Sequence, residues 1–278
     1  PSMTVTDAFF ESFSGLTTTG ATVIEGIDFL PHSVQFYRQQ LQWLGGMGII
    51  VLAVAILPIL GVGGMQLYRA ETPGPVKDNK MTPRIADTAK HLWYIYLSIT
   101  IACAGAYWLA GMNVFDAICH SFSTVAIGGF SNHDASLGYF NSPMVNVVCT
   151  VFLLIAALNF SLHYAAVSSR SVKGYFNDPE FKAFFIIQAS LIGICFLVLT
   201  LSGYYSSAEQ ALDQAMIQAV SISTTAGFAT TDFSVWPAFL PIMLIFSSFI
   251  GGCASSTGGG LKVVRVCLLF LQGKREVD

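Results

Sequence analysis

Long uncharged apolar stretches alternate with short polar connections along the whole chain. The five longest uncharged runs are Gln39–Tyr68, Leu92–Ala110, Pro143–Leu162, Ala183–Ala208 and Phe233–Leu261. Each reaches the roughly 18 residues that a helix needs to cross a bilayer. The apolar positions are continuous rather than alternating, which favours helices over barrel strands. Between the runs lie three shorter segments, each carrying acid near its start: Thr6–Leu16 with Asp7, Asn113–Val125 with Asp116, and Glu209–Ser223 with Glu209 and Asp213. Acids complement the positive end of a helix dipole. These short helices cannot span, so they fit the re-entrant class. The pattern places membrane-length helices ahead of two of them, over Ala86–Ala110 and Lys182–Ser206. Descending helices follow over Phe36–Leu60, Pro143–Tyr164 and Trp236–Ile250.

Composition sharpens this picture. Charged residues make up 10% of the chain and hydrophobic residues 54%, against about a quarter charged in a soluble domain. The net charge is −3, but its placement says more. The segments Arg69–Lys90, Arg170–Lys182 and Lys262–Arg275 hold every Lys and Arg except Arg38. By the positive-inside rule they are cytoplasmic. Glu25, Asp28, Asp134, Glu209, Asp213 and Asp232 lie on the other face, which makes an acidic mouth that concentrates cations. The six cysteines are scattered through apolar runs with no paired spacing, so they read as buried small side chains. The chain opens on Pro1-Ser2, with a first unit that lacks a leading membrane helix, so a piece of a longer protein is expected.

The short helices end in related sequences. With Gly20, Gly129 and Gly227 in register, "FSGLTTTGAT", "FSTVAIGGFS" and "VSISTTAGFA" align, and Ser14, Ser123 and Ser221 coincide. The repeat is about a hundred residues long. The helices before and after each short helix end in basic loops, so each glycine segment dips in from outside and returns. That is the helix–pore loop–helix grammar of cation channels. The expected fold is an all-α polytopic membrane protein with re-entrant pore helices. Its expected divisions are 1–68 (the end of a first unit), the loop 69–85, a second unit 86–165, the loop 166–181 and a third unit 182–278. Backbone that leaves the helix at membrane depth is tolerated only where it faces water or protein. Rings of carbonyls there can replace a cation's hydration shell, and glycine permits the dihedrals that aim them. The candidate ion-binding residues are Thr18, Thr19 and Gly20, then Ile127, Gly128 and Gly129, then Thr225, Ala226 and Gly227. A tight turn between helices is the bland reading of any one copy.

These motifs, with "QLQWLGGMGIIVLAVAILP" and "GGCASSTGGGLKVVRV", resemble the TrkH/TrkG/KtrB superfamily of potassium transporters, most closely its TrkH branch. The resemblance covers essentially the whole chain. It implies a pseudo-fourfold, potassium-channel-like architecture of four units, of which this chain supplies the end of the first, all of the second and the third. It implies potassium uptake across a bacterial inner membrane, K+ as the bound ion and no organic cofactor on this chain. It implies a homodimer with a cytoplasmic ring of nucleotide-binding RCK-type (TrkA-like) subunits. Membrane lipids are the remaining expected partner, and nucleic acid is not one. Coupling of the flux to protons or sodium stays open.

A second feature lies beneath the third unit. Gly251, Gly252, Cys253, Ala254, Ser255, Ser256, Thr257, Gly258, Gly259 and Gly260 hold five glycines, each about 1 kcal/mol worse than alanine in a helix. The descending helix must break there and resume over Leu261–Leu271. In the resembling family this segment obstructs the permeation path, so it is read as a gate, one with few contacts to hold it. A phosphate loop is set aside because no Ser or Thr follows Lys262. An intramembrane hydrolase using Ser255 or Ser256 needs a histidine base, and no histidine has a recognisable spacing. His163, Asn159 and Asn146 on one descending helix are either path-lining groups or interhelical glue. Arg38 either pairs with an acid near the glycine segment or anchors at the interface.

Overall fold

In the computed structural model the described residues are 3–51, 85–237 and 239–277. Among them every regular element is helical. The longer helices are α1 (Val5–Leu16), α2 (His32–Val51), α3 (Ile85–Leu109), α4 (Val114–Val125), α5 (Pro143–Ala156) and α6 (Phe160–Ser169). They continue as α7 (Lys173–Asn177), α8 (Pro179–Leu201), α9 (Ala208–Ser223), α10 (Leu240–Ser248) and α11 (Val263–Val277). The continuation of α2 expected to Leu60, and the loop residues 69–84, lie outside the described residues. Among the described residues two helices, α3 and α8, are long and apolar enough to cross a membrane, or three spans if α5 and α6 count as one bent span.

The three short helices start where their chemistry directs. The Thr4 hydroxyl accepts from Asp7 N while the Asp7 carboxylate accepts from Thr4 N, a reciprocal cap on α1. Asn113 caps α4 at Asp116 N, 2.8 Å away, and Ser207 caps α9 at Gln210 N. Each such cap contributes about 1 kcal/mol. The short helices pack against the long ones: α1 and α4 on α2, α4 on α3, and α9 on α5, α8 and α10. The core between them is fully apolar at Leu92, Leu153, Phe160, Phe184 and Val220. Two buried tyrosines close it with polar tips: Tyr96 donates to Trp43 O, and Tyr107 shares a hydrogen bond with Thr124.

Two expected helices differ most, and α8 starts and ends earlier than the expected Lys182–Ser206. Pro143–Tyr164 is not one helix: α5 and α6 meet at 87°. No proline causes the bend. Another segment inserts into the ladder. Ala157 O accepts from Cys253 N at 2.8 Å, and Phe160 N donates to Ser255 O at 3.1 Å. Asn159 then starts the next helix, its side chain accepting from Ser161 N at 2.8 Å. The third descending helix is also shorter than Trp236–Ile250. Residues Phe233–Val235 form a 3-10 turn capped by Asp232, and α10 begins at Leu240 with Pro241 in its first turn, a place where proline is tolerated. The nine residues of α10 rise about 14 Å, roughly half a hydrocarbon core. The chain resumes as α11 from Val263, running to Val277 and so beyond the expected Leu271.

Candidate functional site

The three glycine segments leave their helices by the same backbone route. Thr19 N, Gly128 N and Ala226 N donate to Ser14 O, Ser123 O and Ser221 O at 2.9, 2.8 and 2.9 Å. Thr18 N, Ile127 N and Thr225 N donate to Gly15 O, Thr124 O and Ile222 O at 3.1, 3.1 and 3.0 Å. The second residue after each of these serines' helices enters the left-handed region: Thr18, Ile127 and Thr225 have φ of 56°, 52° and 70°, and Gly20, Gly129 and Gly227 have 75°, 77° and 84°. Left-handed residues on either side of an ordinary one turn neighbouring peptide planes alike, which is what a row of inward carbonyls requires. The first position of each pair is β-branched. A β-branched residue at positive φ is a genuine outlier, and about 1–3 kcal/mol of strain is held there. Three equivalent outliers mark a shared demand on the backbone rather than a turn's preference.

The segments also touch in a fixed order. A Cβ built on Gly20 would lie 2.0 Å from Gly128 O, and one on Gly129 would lie 1.9 Å from Ala226 O. Thus each glycine abuts the carbonyl that precedes the next segment's glycine. A Cβ on Gly227 meets nothing within 4 Å among the described residues. The order runs from the first segment to the third and ends, among the described residues, at Gly227. The register serines are not all equivalent. Ser14 and Ser221 donate to Ala21 O and Phe228 O at 2.5 and 2.7 Å, while Ser123 turns back to His120 O.

Behind the segments stands a polar stripe that the sequence reading took up only at Arg38. Gln35, Arg38, Gln39 and Gln42 recur at helical spacing on α2, and all four are buried. That i, i+3, i+4, i+7 pattern inside an apolar helix was the available signal. Gln42 clamps the second segment at two points: its amide donates to Gly128 O at 2.7 Å, and its carbonyl accepts from Phe130 N at 3.1 Å. Gly128 O is therefore a candidate carbonyl that already has a side-chain donor. Arg38 is a pairing partner, not an interfacial anchor. It binds Glu11 at 2.8 Å, reaches Ser131 O and Thr22 Oγ1 at 3.2 Å, and lies 4.3 Å over the Phe130 ring. Glu11 accepts in turn from Thr22 and Val23 just past Gly20. Removing either partner of a buried pair costs about 3–5 kcal/mol.

The glycine-rich loop lies directly beneath the third segment, since Gly259 N donates to Thr225 Oγ1 at 2.8 Å. It is not sparsely held. Residues 251–258 are buried and only 259 and 260 are exposed. Thr257 donates to Val125 O at 3.0 Å, below the second segment. One oxygen of Glu180, at the start of α8, accepts from Ala254 N at 2.7 Å and Val264 N at 3.2 Å, so it ties both sides of the loop. The Lys262 ammonium donates to Gly258 O, a basic partner within this chain. Gly251 and Gly260 bring the loop ends together, at φ of 72° and 80°. A Cβ on Gly251 would lie 2.0 Å from Gly259 O.

The hydrolase geometry is not assembled. Ser256 donates to Cys253 O. His163 has Tyr175 on one nitrogen and Ile155 O on the other, His120 has Asp116 O and Ser131, and His133 has Asp28 and Asp116. His163 and Asn159 thus act in packing and capping at the α5–α6 bend. The described cysteines carry no disulfide, and no group of three or more His, Cys, Asp or Glu that could hold a metal ion occurs among the described residues.

Residues 1–278 match the TrkH family, described as a cation transport protein. The whole chain is 69% identical over 279 residues to the Trk system potassium uptake protein TrkH of Vibrio parahaemolyticus, covering 58% of that protein. It is 64% identical over 277 residues to TrkH of Escherichia coli K12, covering 57% of it. Against the Trk system potassium uptake protein TrkG of the same organism, 99% of the chain aligns at 46% identity. The crystal structure of the potassium transporter TrkH from Vibrio parahaemolyticus superposes with a TM-score of 0.88 and 64% identity over 99% of this chain and 56% of that one. The chain spans a little over half the length of the curated relatives it matches. These relatives are transport proteins, not enzymes, and they leave the hydrolase reading without support.

Proposed function

Because this chain belongs to the TrkH family of cation transport proteins, we propose that it is the central part of a potassium uptake protein, with three quarters of its selectivity filter and its gate. The filter consists of Thr18–Gly20, Ile127–Gly129 and Thr225–Gly227. The observation that carries this reading is the threefold recurrence of two left-handed residues around an ordinary one, with Gly20 and Gly129 each packed on the next segment's carbonyl. Four such segments around one axis replace a dehydrated cation's water with carbonyls. The segments are held by their own pore helices, whose C-terminal, negative dipole ends face the ion. Residues 251–260 cross the path below and must move for ions to pass. Asp28, Asp134, Glu209 and Asp232 make the mouth cation-attracting. The chain divides as read from the sequence, into the end of one pore unit and two further units. The setting is a bacterial inner membrane. The relatives' names describe a "Trk system", and a cytoplasmic RCK-type ring on the basic loops, with a second copy of the transporter, completes the assembly.

The experiment is flux into proteoliposomes holding the full-length protein that contains this chain. Rubidium and potassium enter in preference to sodium and lithium. Equal entry of all four ions, with the protein folded, rejects a selective filter.

A further inference from the structure

The first and third segments secure the residue past their glycine in the same way. Ser14 Oγ donates to Ala21 O at 2.5 Å, and Ser221 Oγ donates to Phe228 O at 2.7 Å. The second segment departs from this. Ser123 turns back to His120 O within its own helix, and Gln42 of α2 accepts from Phe130 N instead. The orientation of the buried Gln42 amide follows from chemistry. A backbone N–H only donates and a carbonyl only accepts, so the amide oxygen faces Phe130 N at 3.1 Å and the amide nitrogen faces Gly128 O at 2.7 Å. These two groups belong to the two peptide planes on either side of Gly129. One side chain thus spans both rotatable backbone bonds of a residue at φ of 77°, and glycine is the residue whose backbone is otherwise least restrained.

The direction of the carbonyls follows. No peptide bond among the described residues is cis, and in a trans peptide the C=O and N–H point opposite ways. Phe130 N–H points at Gln42, so Gly129 O points away from it. Gly128 O points at Gln42, and it is also the carbonyl on which Gly20 packs. The sequence makes room for this. Thr19 and Ala226 stand where Gly128 stands, so only the second segment has two glycines in a row. Gly128 is not at positive φ, so its backbone would accept a side chain. The space would not: a Cβ there would lie 2.4 Å from the Gln42 amide carbon and 2.5 and 2.7 Å from its oxygen and nitrogen. We propose that Gln42 is a positioning residue for ion selection. It sets the tilt of both peptides that flank Gly129, aims Gly129 O away from α2, and holds Gly128 O to itself. The second segment then takes its geometry from a helix that follows the first. This inference rests on reading residues 127–129 as part of a filter and deepens that reading.

The test is the rubidium-to-sodium entry ratio of the full-length protein in proteoliposomes, with melting temperature as the check on folding. A merely structural role lowers the entry of every ion alike, whereas a positioning role changes the ratio. Gln42→Leu lowers the ratio about tenfold, as expected when a buried donor and acceptor lose their partners. Gln42→Ala and Gly128→Ala each lower it. The double variant lowers it no further than Gln42→Ala alone, because both changes break one clamp and the vacated space admits the methyl group. Gln42→Glu keeps the side chain's shape and decides the matter if the other variants misfold. Protonated, its carboxyl donates to Gly128 O and accepts from Phe130 N; ionised, it only accepts and sets oxygen against oxygen. Its ratio therefore falls, relative to wild type at the same pH, as pH rises from about 5 to about 8. A wild type that does not discriminate rejects the filter itself. A selective wild type, with folded Gln42→Leu or Gln42→Glu matching its ratio at every pH, overturns the role of Gln42 alone. Additive losses in Gln42→Ala and Gly128→Ala overturn it as well.

Discussion

The glycine segments and the glycine-rich loop use the same residue in opposite ways. Each glycine segment is held first by the helix it follows, through hydrogen bonds such as Thr19 N to Ser14 O and Ala226 N to Ser221 O, and the second also by Gln42 of α2. The loop is held from afar. Gly259 reaches Thr225 across 34 residues, Ala254 reaches Glu180 across 74, and Thr257 reaches Val125 across 132. A locally held segment keeps its shape when helices shift against one another. A loop held by several helices at once cannot. On the proposed reading, a constant element and a displaceable one follow each other along a single path, without needing the loop to be loosely packed. Displacement means exchanging specific hydrogen bonds, each worth about 1 kcal/mol net, so motion of α8 or of the α5–α6 bend is what would shift it.

The largest effect tests the constant half. Gly129→Ala places a methyl group against Ala226 O in a left-handed backbone, where a Cβ alone costs about 1–2 kcal/mol. Its rubidium-over-sodium preference in proteoliposomes falls about tenfold or more. Gly227 sharpens the point, since nothing within this chain's described residues meets its Cβ. If, as proposed, a fourth segment continues the order in the full-length protein, its carbonyl meets Gly227 and Gly227→Ala is as damaging as Gly129→Ala. A full-length Gly227→Ala that keeps wild-type selectivity breaks the ring.

The next effect tests the displaceable half. Glu180→Ala leaves Ala254 N and Val264 N without their shared acceptor. The loop's closed arrangement loses about 1–3 kcal/mol, and basal potassium flux rises about tenfold with ion preference unchanged. Glu180→Gln keeps an acceptor oxygen and lies much closer to wild type. A selectivity change in Glu180→Ala at normal flux would place the loop in the filter instead. Thr225→Val probes the seam. It removes the hydroxyl that accepts from Gly259 N and keeps the side chain's shape. Flux rises only a few-fold, matching one hydrogen bond of about 1 kcal/mol.

The same contrast decides what was legible in the sequence. The starts of α1, α4 and α9 were readable because a cap and its acid lie within one turn, as at Thr4 with Asp7. The glycines were readable because they recur. The left-handed Thr18, Ile127 and Thr225 were not, because a β-branched side chain gives no local hint of positive φ. The break at Ala157 was hidden because its cause, Cys253, lies far along the chain. Glu180 carries no sequence signal beyond that of an acid in a helix's first turn, and only the folded loop gives its oxygen two further donors. Locally determined geometry was legible, and geometry imposed from a distance was not.

The smallest effect concerns the outer mouth, where the first and second segments meet. His133 has Asp28 on Nδ1 and Asp116 on Nε2, the latter at 3.1 Å, and its ring stacks 3.5 Å from Tyr139. Carboxylates on both nitrogens require a proton on each, so the bound species is the imidazolium. Burial alone pulls its pKa down, but the hydrogen bonds and charges of Asp116 and Asp28 outweigh burial and hold it above the ordinary 6.5. Asp28 moves the other way. Burial pushes it up, and the hydrogen bond from His133, the Asp134 backbone N–H and the imidazolium charge bring it below the usual carboxylate value. A raised folded pKa gives stability that is complete below the unfolded value and is lost as pH rises through the folded one. Melting temperature should therefore fall as pH climbs from about 6.5 upward, and His133→Gln should be lower at pH 6 yet flatter over that range. The pair is partly exposed, so the difference amounts to about 1 kcal/mol at most. It is confined to the seam between locally held segments, and rubidium selectivity stays unchanged. Parallel melting curves for wild type and His133→Gln across the range would mean that the seam is held by the Arg38–Glu11 pair and the α2 glutamines alone.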